Sequence, residues 1–147
     1  MKTSTAAASE KGVWKQLREN ILETEVWLRS ALKDFLDDFN ITQQQHSILR
    51  ILKDANNEPV STKQIQALMP DKSSDTSRLV DRLIDKELVR KRKDPNDGRL
   101  VQVFIKYEGL RLLARIEDRL GEIDRKFELL SEDEAAQLNL LLEKARS

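Results

Sequence analysis

The side chains best placed to do chemistry in this sequence are hydroxyls and guanidiniums at helical spacing. Ser74, Ser77, Arg78, Asp81 and Arg82 recur at i, i+3, i+4, i+7 and i+8, which puts them on one face of a helix over 73–86. Thr76, Leu79, Val80, Leu83 and Ile84 fall on the opposite face. Such a helix docks by its apolar stripe and presents donors outward. Serine and arginine donors of this kind bond base edges and phosphates in a DNA major groove. The plainer reading is a solvated face, with Arg78/Asp81 and Arg82/Asp85 as i,i+3 ion pairs.

The next residues shift the balance toward DNA. Leu88-Val89-Arg90-Lys91-Arg92-Lys93 runs into Asp94-Pro95-Asn96-Asp97-Gly98-Arg99, then Leu100-Val101-Gln102-Val103-Phe104-Ile105-Lys106. Val101, Val103 and Ile105 alternate as in a half-buried strand. Proline and glycine between the runs supply turn chemistry. The segment is a β-hairpin with four consecutive cations on its first strand. From Lys86 to Lys106, seven cations stand against three anions, in a chain of net charge zero. A helix followed by a basic hairpin is the sequence form of a winged helix-turn-helix. Its helix enters the major groove, and its wing reaches the backbone or the adjacent minor groove.

The elements that position these residues can be read on either side. A helix is expected from Lys11 to Phe39, with Trp14, Leu17, Ile21, Leu28, Leu32, Phe35 and Phe39 on one stripe and Leu22, Val26 and Trp27 off it. A helix apolar on two sides needs cover on two sides. Thr42–Gln45, Ser61–Gln64 and Ser131–Glu134 are capping boxes that open three further helices. The helix after Ser61 carries Ile65 and Leu68 inward, stops at Met69-Pro70, and exposes N–H groups near Thr62 and Lys63 for a phosphate. A helix over 107–130 places Leu113, Ile116, Leu120, Ile123, Phe127 and Leu130 on a heptad seam. That seam packs either on a partner or on the first helix. The last helix puts Ala135, Leu138, Leu142 and Ala145 on one face.

Several residue patterns here resemble the MarR (multiple antibiotic resistance regulator) family. They are Ser77-Arg78-Leu79-Val80-Asp81-Arg82-Leu83, Leu88-Val89-Arg90, Asp94-Pro95-Asn96-Asp97-Gly98-Arg99, Val103-Phe104-Ile105 and Gly109. The helix layout extends the resemblance over nearly the whole chain. Glu87 stands where the family usually has glycine, Gly98 where a second wing arginine is common, and Lys106 where threonine is usual. Glu87 is strained if it is left-handed, and Gly98 leaves Arg99 as the candidate wing tip.

The resemblance implies a mainly α fold with a small β-hairpin wing: a winged helix-turn-helix plus a helical dimerisation region. Residues 1–10 are expected to form a mobile tail. Residues 41–106 would be the DNA-binding domain, and 11–40 with 107–147 the dimerisation region. The implied function is a homodimeric, sequence-specific regulator, a repressor by family habit, on a pseudo-palindromic operator in double-stranded DNA. Ser74, Ser77, Arg78 and Arg82 would read the major groove, and Arg99 would enter the minor groove. Thr62, Lys63, Lys91 and Lys93 would lie near phosphates, and Asp81 would orient the wing or the arginines. The family's small-molecule pocket lies between the dimer helices and the DNA domain. Trp27 and His46 sit on helices that would line it for a small aromatic or amphipathic ligand. A competing reading is a helical protein-interaction module that kept the winged-helix shape and lost DNA reading; Asp75, Asp81 and Asp85 favour it and the basic wing opposes it.

Composition narrows the remaining classes. There is no cysteine, so disulfides, zinc ribbons and thiol switches are excluded. One histidine rules out a multi-histidine metal site. Four glycines form no phosphate-cradling loop. Asp94–Gly98 has its glycine one position early for a calcium loop, and Ile105 stands where the bidentate glutamate belongs. No cofactor and no enzymatic activity are expected. No run approaches the ~18 apolar residues of a membrane span, and a cytoplasmic location is the expectation.

Overall fold

The computed structural model describes residues 12–147; the expected tail over 1–10 lies outside them. Helix α1 covers Val13–Asp37 and α2 Gln43–Asp54. Strand β1 is Val60–Ser61, α3 is Thr62–Leu68 and α4 is Thr76–Asp85. The wing is β2 (Val89–Lys93) and β3 (Val101–Ile105). Then come α5 (Tyr107–Arg119), the single turn α6 (Gly121–Asp124), a 3₁₀ turn at Arg125–Phe127, and α7 (Glu132–Arg146).

All three capping boxes form. Thr42, Ser61 and Ser131 each accept the N–H three residues on, and Gln45, Gln64 and Glu134 reach back to the cap. These reciprocal bonds satisfy two orphan donors per helix and fix where each begins. The sheet has three antiparallel strands in the order β1-β3-β2. Val89 pairs with Ile105 and Lys93 with Val101, while Val60 pairs with Val103. The third strand, β1, goes beyond the expected hairpin.

The core gathers where α2, α3, α4, the sheet and α5 meet. Ile48, Leu49, Ile65, Leu83, Val103 and Ile116 are each completely buried. The 107–130 helix expected from the heptad seam breaks at Leu120-Gly121. Much of the seam turns inward within the chain: Leu113, Ile116 and Ile123 are buried, and Phe127 meets Trp27 edge to face at 5.3 Å. The seam is therefore packed within the chain, its α5 part chiefly on α2 and its last part on α1, and glycine, with its poor helix propensity, follows the point where the helix ends.

Helices α1 and α7 remain poorly covered. Only Phe35 and Leu36 of α1 are buried, and no residue of α7 is. Among the described residues, no helix is long and apolar enough to cross a membrane.

Candidate nucleic-acid interface

Helix α4 begins two residues after Ser74, because Asp75 caps it by accepting the Arg78 N–H at 3.2 Å. Ser77, Arg78 and Arg82 lie exposed on its outer face, while Thr76, Val80 and Leu83 are buried. Ser74 departs from expectation. It is buried and precedes the helix, and its hydroxyl accepts from Gln44 Nε2 at 3.1 Å. It anchors the turn and is not available to a base edge.

The turn between α3 and α4 is laced by polar contacts that set the pose of α4. Gln66 accepts from the Thr76 hydroxyl and donates to the Lys72 carbonyl at 2.7 Å. Asp71 accepts from the Ser73 N–H at 2.9 Å and hydroxyl at 2.6 Å; these bonds hold its carboxyl below the usual range. Gln44 and Gln66 were not among the residues singled out from sequence. A glutamine whose partners lie ten or thirty residues away leaves no local pattern.

At its far end α4 closes with Glu87 in the left-handed region, φ 62°. Glu87 N–H bonds the Ile84 carbonyl at 2.8 Å and Leu88 N–H the Leu83 carbonyl at 3.0 Å, which is the Schellman pattern. The strain expected from sequence at this position is therefore present.

The wing carries its cations on two faces. Lys91 pairs in register with buried Val103 and reaches Asp81 on α4, Nζ to Oδ1 2.7 Å. Arg90 and Arg92 flank Phe104 instead, their guanidiniums 4.4 and 4.7 Å from its ring centre. Arg92 also donates to Gln102 at 2.9 Å, and Gln102 donates to Asp94 at 3.1 Å. Asp94 further accepts the Asn96 N–H at 2.7 Å and closes the turn. Lys93 has no ion pair among the described residues. The Arg99 side chain is 91% exposed at the tip and bonds Asp97, Nε to Oδ1 3.2 Å. That contact depresses the Asp97 carboxyl. At the other edge, Lys63 is exposed and Thr62 half-buried on the first turn of α3.

Trp27 and His46 do not come together as pocket walls. Trp27 stacks edge-on with Phe127. His46 is buried, and its Nε2 has no hydrogen-bond partner among the described residues. Burial, reinforced by the nearby Arg50 charge and opposed by Glu117, lowers its pKa. A groove of about 920 Å³ does open beside α1 and the start of α2, with Val26, Arg29, Lys33, Gln44, Met69 and Asp71 in its walls, but neither Trp27 nor His46 lines it. The described residues contain no cluster of three or more metal-binding side chains.

Residues 41–101 match the model of the MarR family. Solved structures extend the likeness. A MarR transcription factor from Planctomyces limnophilus is 29% identical, over 88% of this chain and 94% of its own, with a TM-score of 0.70. A mutant MarR from E. coli, solved in complex with operator DNA, is 24% identical over 89% of this chain and 94% of its own, with a TM-score of 0.76. BpsR of Bordetella bronchiseptica, whose DNA binding is regulated by 6-hydroxynicotinic acid, is 20% identical over 90% of this chain and 100% of its own, with a TM-score of 0.75. The sequence matches none of the curated proteins compared with it. The winged-helix segment is similar to the MarR family, and the fold is shared with MarR-family transcription regulators.

Proposed function

We propose that this protein is a homodimeric, sequence-specific double-stranded DNA-binding regulator, a repressor on a pseudo-palindromic operator, released by a small-molecule ligand. The observation that carries it is the outer face of α4. Ser77, Arg78 and Arg82 are exposed there beside a basic wing. Arg78 and Arg82 make no side-chain ion pair among the described residues, so their donors are open to base edges. Lys63, Thr62, Lys91 and Lys93 would sit near phosphates, and Arg99 at the minor groove. The E. coli structure in complex with operator DNA supports the same use of this fold.

Dimerisation would use the uncovered helices. Trp14, Leu17, Ile21, Leu22 and Val26 on α1 are exposed, as are Leu138, Leu140 and Leu141 on α7. Exposed apolar surface of this extent marks an interface, so residues 11–40 and 107–147 would form the assembly region and 41–106 the DNA reader. The pseudo-palindrome follows from two-fold symmetry. Release by ligand is supported by BpsR, whose DNA binding responds to a small acid. The site of action would be the cytoplasm, where the DNA lies.

The test is the salt dependence of binding to duplex DNA carrying the operator. Binding through phosphates weakens steeply as salt rises, with a log–log slope of about −0.9 per phosphate neutralised. A protein-interaction module would show no DNA binding at low salt, and that result would remove the reading.

A further inference from the structure

The start of α4 buries two hydroxyls. Its cap residue, Asp75, is exposed and not helical, at φ −80° and ψ 87°, while Ser74 before it and Thr76 after it are buried. A buried hydroxyl without a partner is costly, and each of these meets a glutamine from a different helix. Gln44, in the first turn of α2, donates from Nε2 to Ser74 Oγ at 3.1 Å. Gln66, on α3, accepts from the Thr76 hydroxyl at Oε1 and donates from Nε2 to the Lys72 carbonyl at 2.7 Å. Only an amide meets both demands on Gln66. A glutamate would set its second oxygen against the Lys72 carbonyl, and a methionine would leave both groups without a partner.

These bonds give α4 direction. Val80 and Leu83 hold the helix to the core, but apolar attraction is non-directional and lets a short helix roll or slide. A hydrogen bond weakens steeply away from its line. The two bonds act on either side of the cap, and Ser77 and Arg78 follow directly. Any roll at the start of the helix therefore passes undiminished to the side chains proposed to read bases.

We infer that Gln44 and Gln66 are specificity-determining positioning residues: acting through Ser74 and Thr76, they fix the pose in which α4 offers Ser77, Arg78 and Arg82 to base edges. The inference rests on the DNA-reading proposal for that face.

The experiment removes each bond together with both of its partners. Gln66→Met with Thr76→Val, and separately Gln44→Met with Ser74→Ala, leave neither hydroxyl orphaned and nearly keep the shapes, so each paired variant should melt close to the wild type. Gln66→Met alone strands the Thr76 hydroxyl and should melt lower. The probes are the duplex that the wild-type protein enriches from a randomised pool and a scrambled duplex of the same length, titrated well below the melting of every variant. Each paired variant should lose about tenfold in the ratio of the two affinities, the scale of one misplaced base contact. The salt slope on the scrambled duplex should not move, because no cation is removed. Wild-type selectivity in a paired variant would overturn the inference for that glutamine, and so would a changed salt slope, which would place it at the phosphates. Hydrogen exchange without DNA gives a second readout. The Arg78 and Leu79 amides, bonded to Asp75, should exchange about tenfold faster in the paired variants. Those of Ile48 and Leu49, in the core, should be unchanged. Equal exchange at Arg78 and Leu79 in wild type and variants would overturn the inference. Enrichment of no duplex by the wild type would overturn the specificity role together with the DNA-reading proposal, whereas faster exchange in the variants would still show the glutamines setting the pose of α4.

Discussion

Lys91 Nζ sits 2.7 Å from Asp81 Oδ1, joining the wing to the outer face of α4. The two elements proposed to enter neighbouring grooves are therefore tied to each other within the chain itself. The bond lies at the surface, with about half of each side chain exposed, so it contributes little to stability. Its role is geometric. Asp81→Asn removes a carboxylate beside the proposed phosphate contacts and frees Lys91. The expected outcome is tighter binding to random duplex, a salt slope steeper by about one unit, and poorer discrimination of the operator. Salt titrations on cognate and random duplexes check it; a loss of affinity for both would mean that Asp81 itself touches DNA.

Arg78→Ala and Lys93→Ala should part company. Arg78 is exposed on the α4 face and should lose about 1–3 kcal/mol on the operator alone. Lys93 should weaken all duplexes evenly and flatten the salt slope by about one unit. Equal loss on cognate and random DNA in both variants would show that the α4 face does not read bases.

Glu87→Gly should stabilise the protein. A side chain at φ 62° is strained by about 1–2 kcal/mol, and glycine returns roughly 0.5–1 kcal/mol of that as unfolded-state entropy. A net gain of about 0.5–1 kcal/mol is expected, read as a higher denaturation midpoint at unchanged m-value. Gly109 is the opposite case. A Cβ there would meet the Leu88 carbonyl at 2.5 Å and Ile105 Cγ1 at 2.8 Å. Gly109→Ala should cost about 1–3 kcal/mol, the range for overpacking.

These two positions also show what a sequence can and cannot reveal. Glu87 and Gly109 were legible only through the family resemblance, which usually has glycine at the first position and carries glycine in its signature at the second. The capping boxes were legible because their partners are three residues apart. Ser74 was misplaced for a related reason. Ser73, Ser74 and Asp75 are all good caps, and helical spacing alone extends the wheel through them; the choice of Asp75 is made by Gln44, which draws Ser74 into the protein. Strand β1 escaped notice because two residues, Val60 and Ser61, have no period to detect. They become a strand only by pairing with β3 about forty residues later. The 113–130 seam was read correctly as apolar and incorrectly as one continuous helix, although Gly121 marked the break.

His46 predicts a pH response. Burial keeps it neutral in the fold, with its pKa below the ordinary value near 6.5. The unfolded chain binds the proton more readily, so its contribution to stability is full above about pH 6.5 and falls as pH drops toward the folded value. Chemical denaturation from pH 7.5 to 5 should show that decline, and His46→Gln should flatten it. An identical decline in the variant would place the effect on the carboxylates instead.

Arg99 carries the last prediction. Its bond to Asp97 admits two readings: the pair stiffens the turn, or it parks a cation at the tip for DNA. Exposure separates them. The side chain is 91% exposed, and exposed pairs are worth about 0–1 kcal/mol. The turn is meanwhile closed by Asp94 and by backbone bonds from Asp94 N–H to Leu100 O and from Leu100 N–H to Asp97 O, at 2.9 and 3.0 Å. The hairpin therefore does not need the guanidinium. Arg99→Ala should leave the melting temperature nearly unchanged and lose both affinity and any preference for A·T-rich flanks, where a narrow minor groove concentrates negative potential. Arg99→Lys should recover part of the affinity and less of the preference, because an ammonium is more strongly hydrated than a guanidinium. Asp97→Asn should release the arginine and tighten binding, but at some cost to the turn, since Asp97 also accepts the Arg99 N–H at 3.0 Å. Titrations on operators that differ only in flanking A·T content decide it. A lower melting temperature with flank preference intact in Arg99→Ala would assign the residue to the turn and leave the minor groove to another side chain.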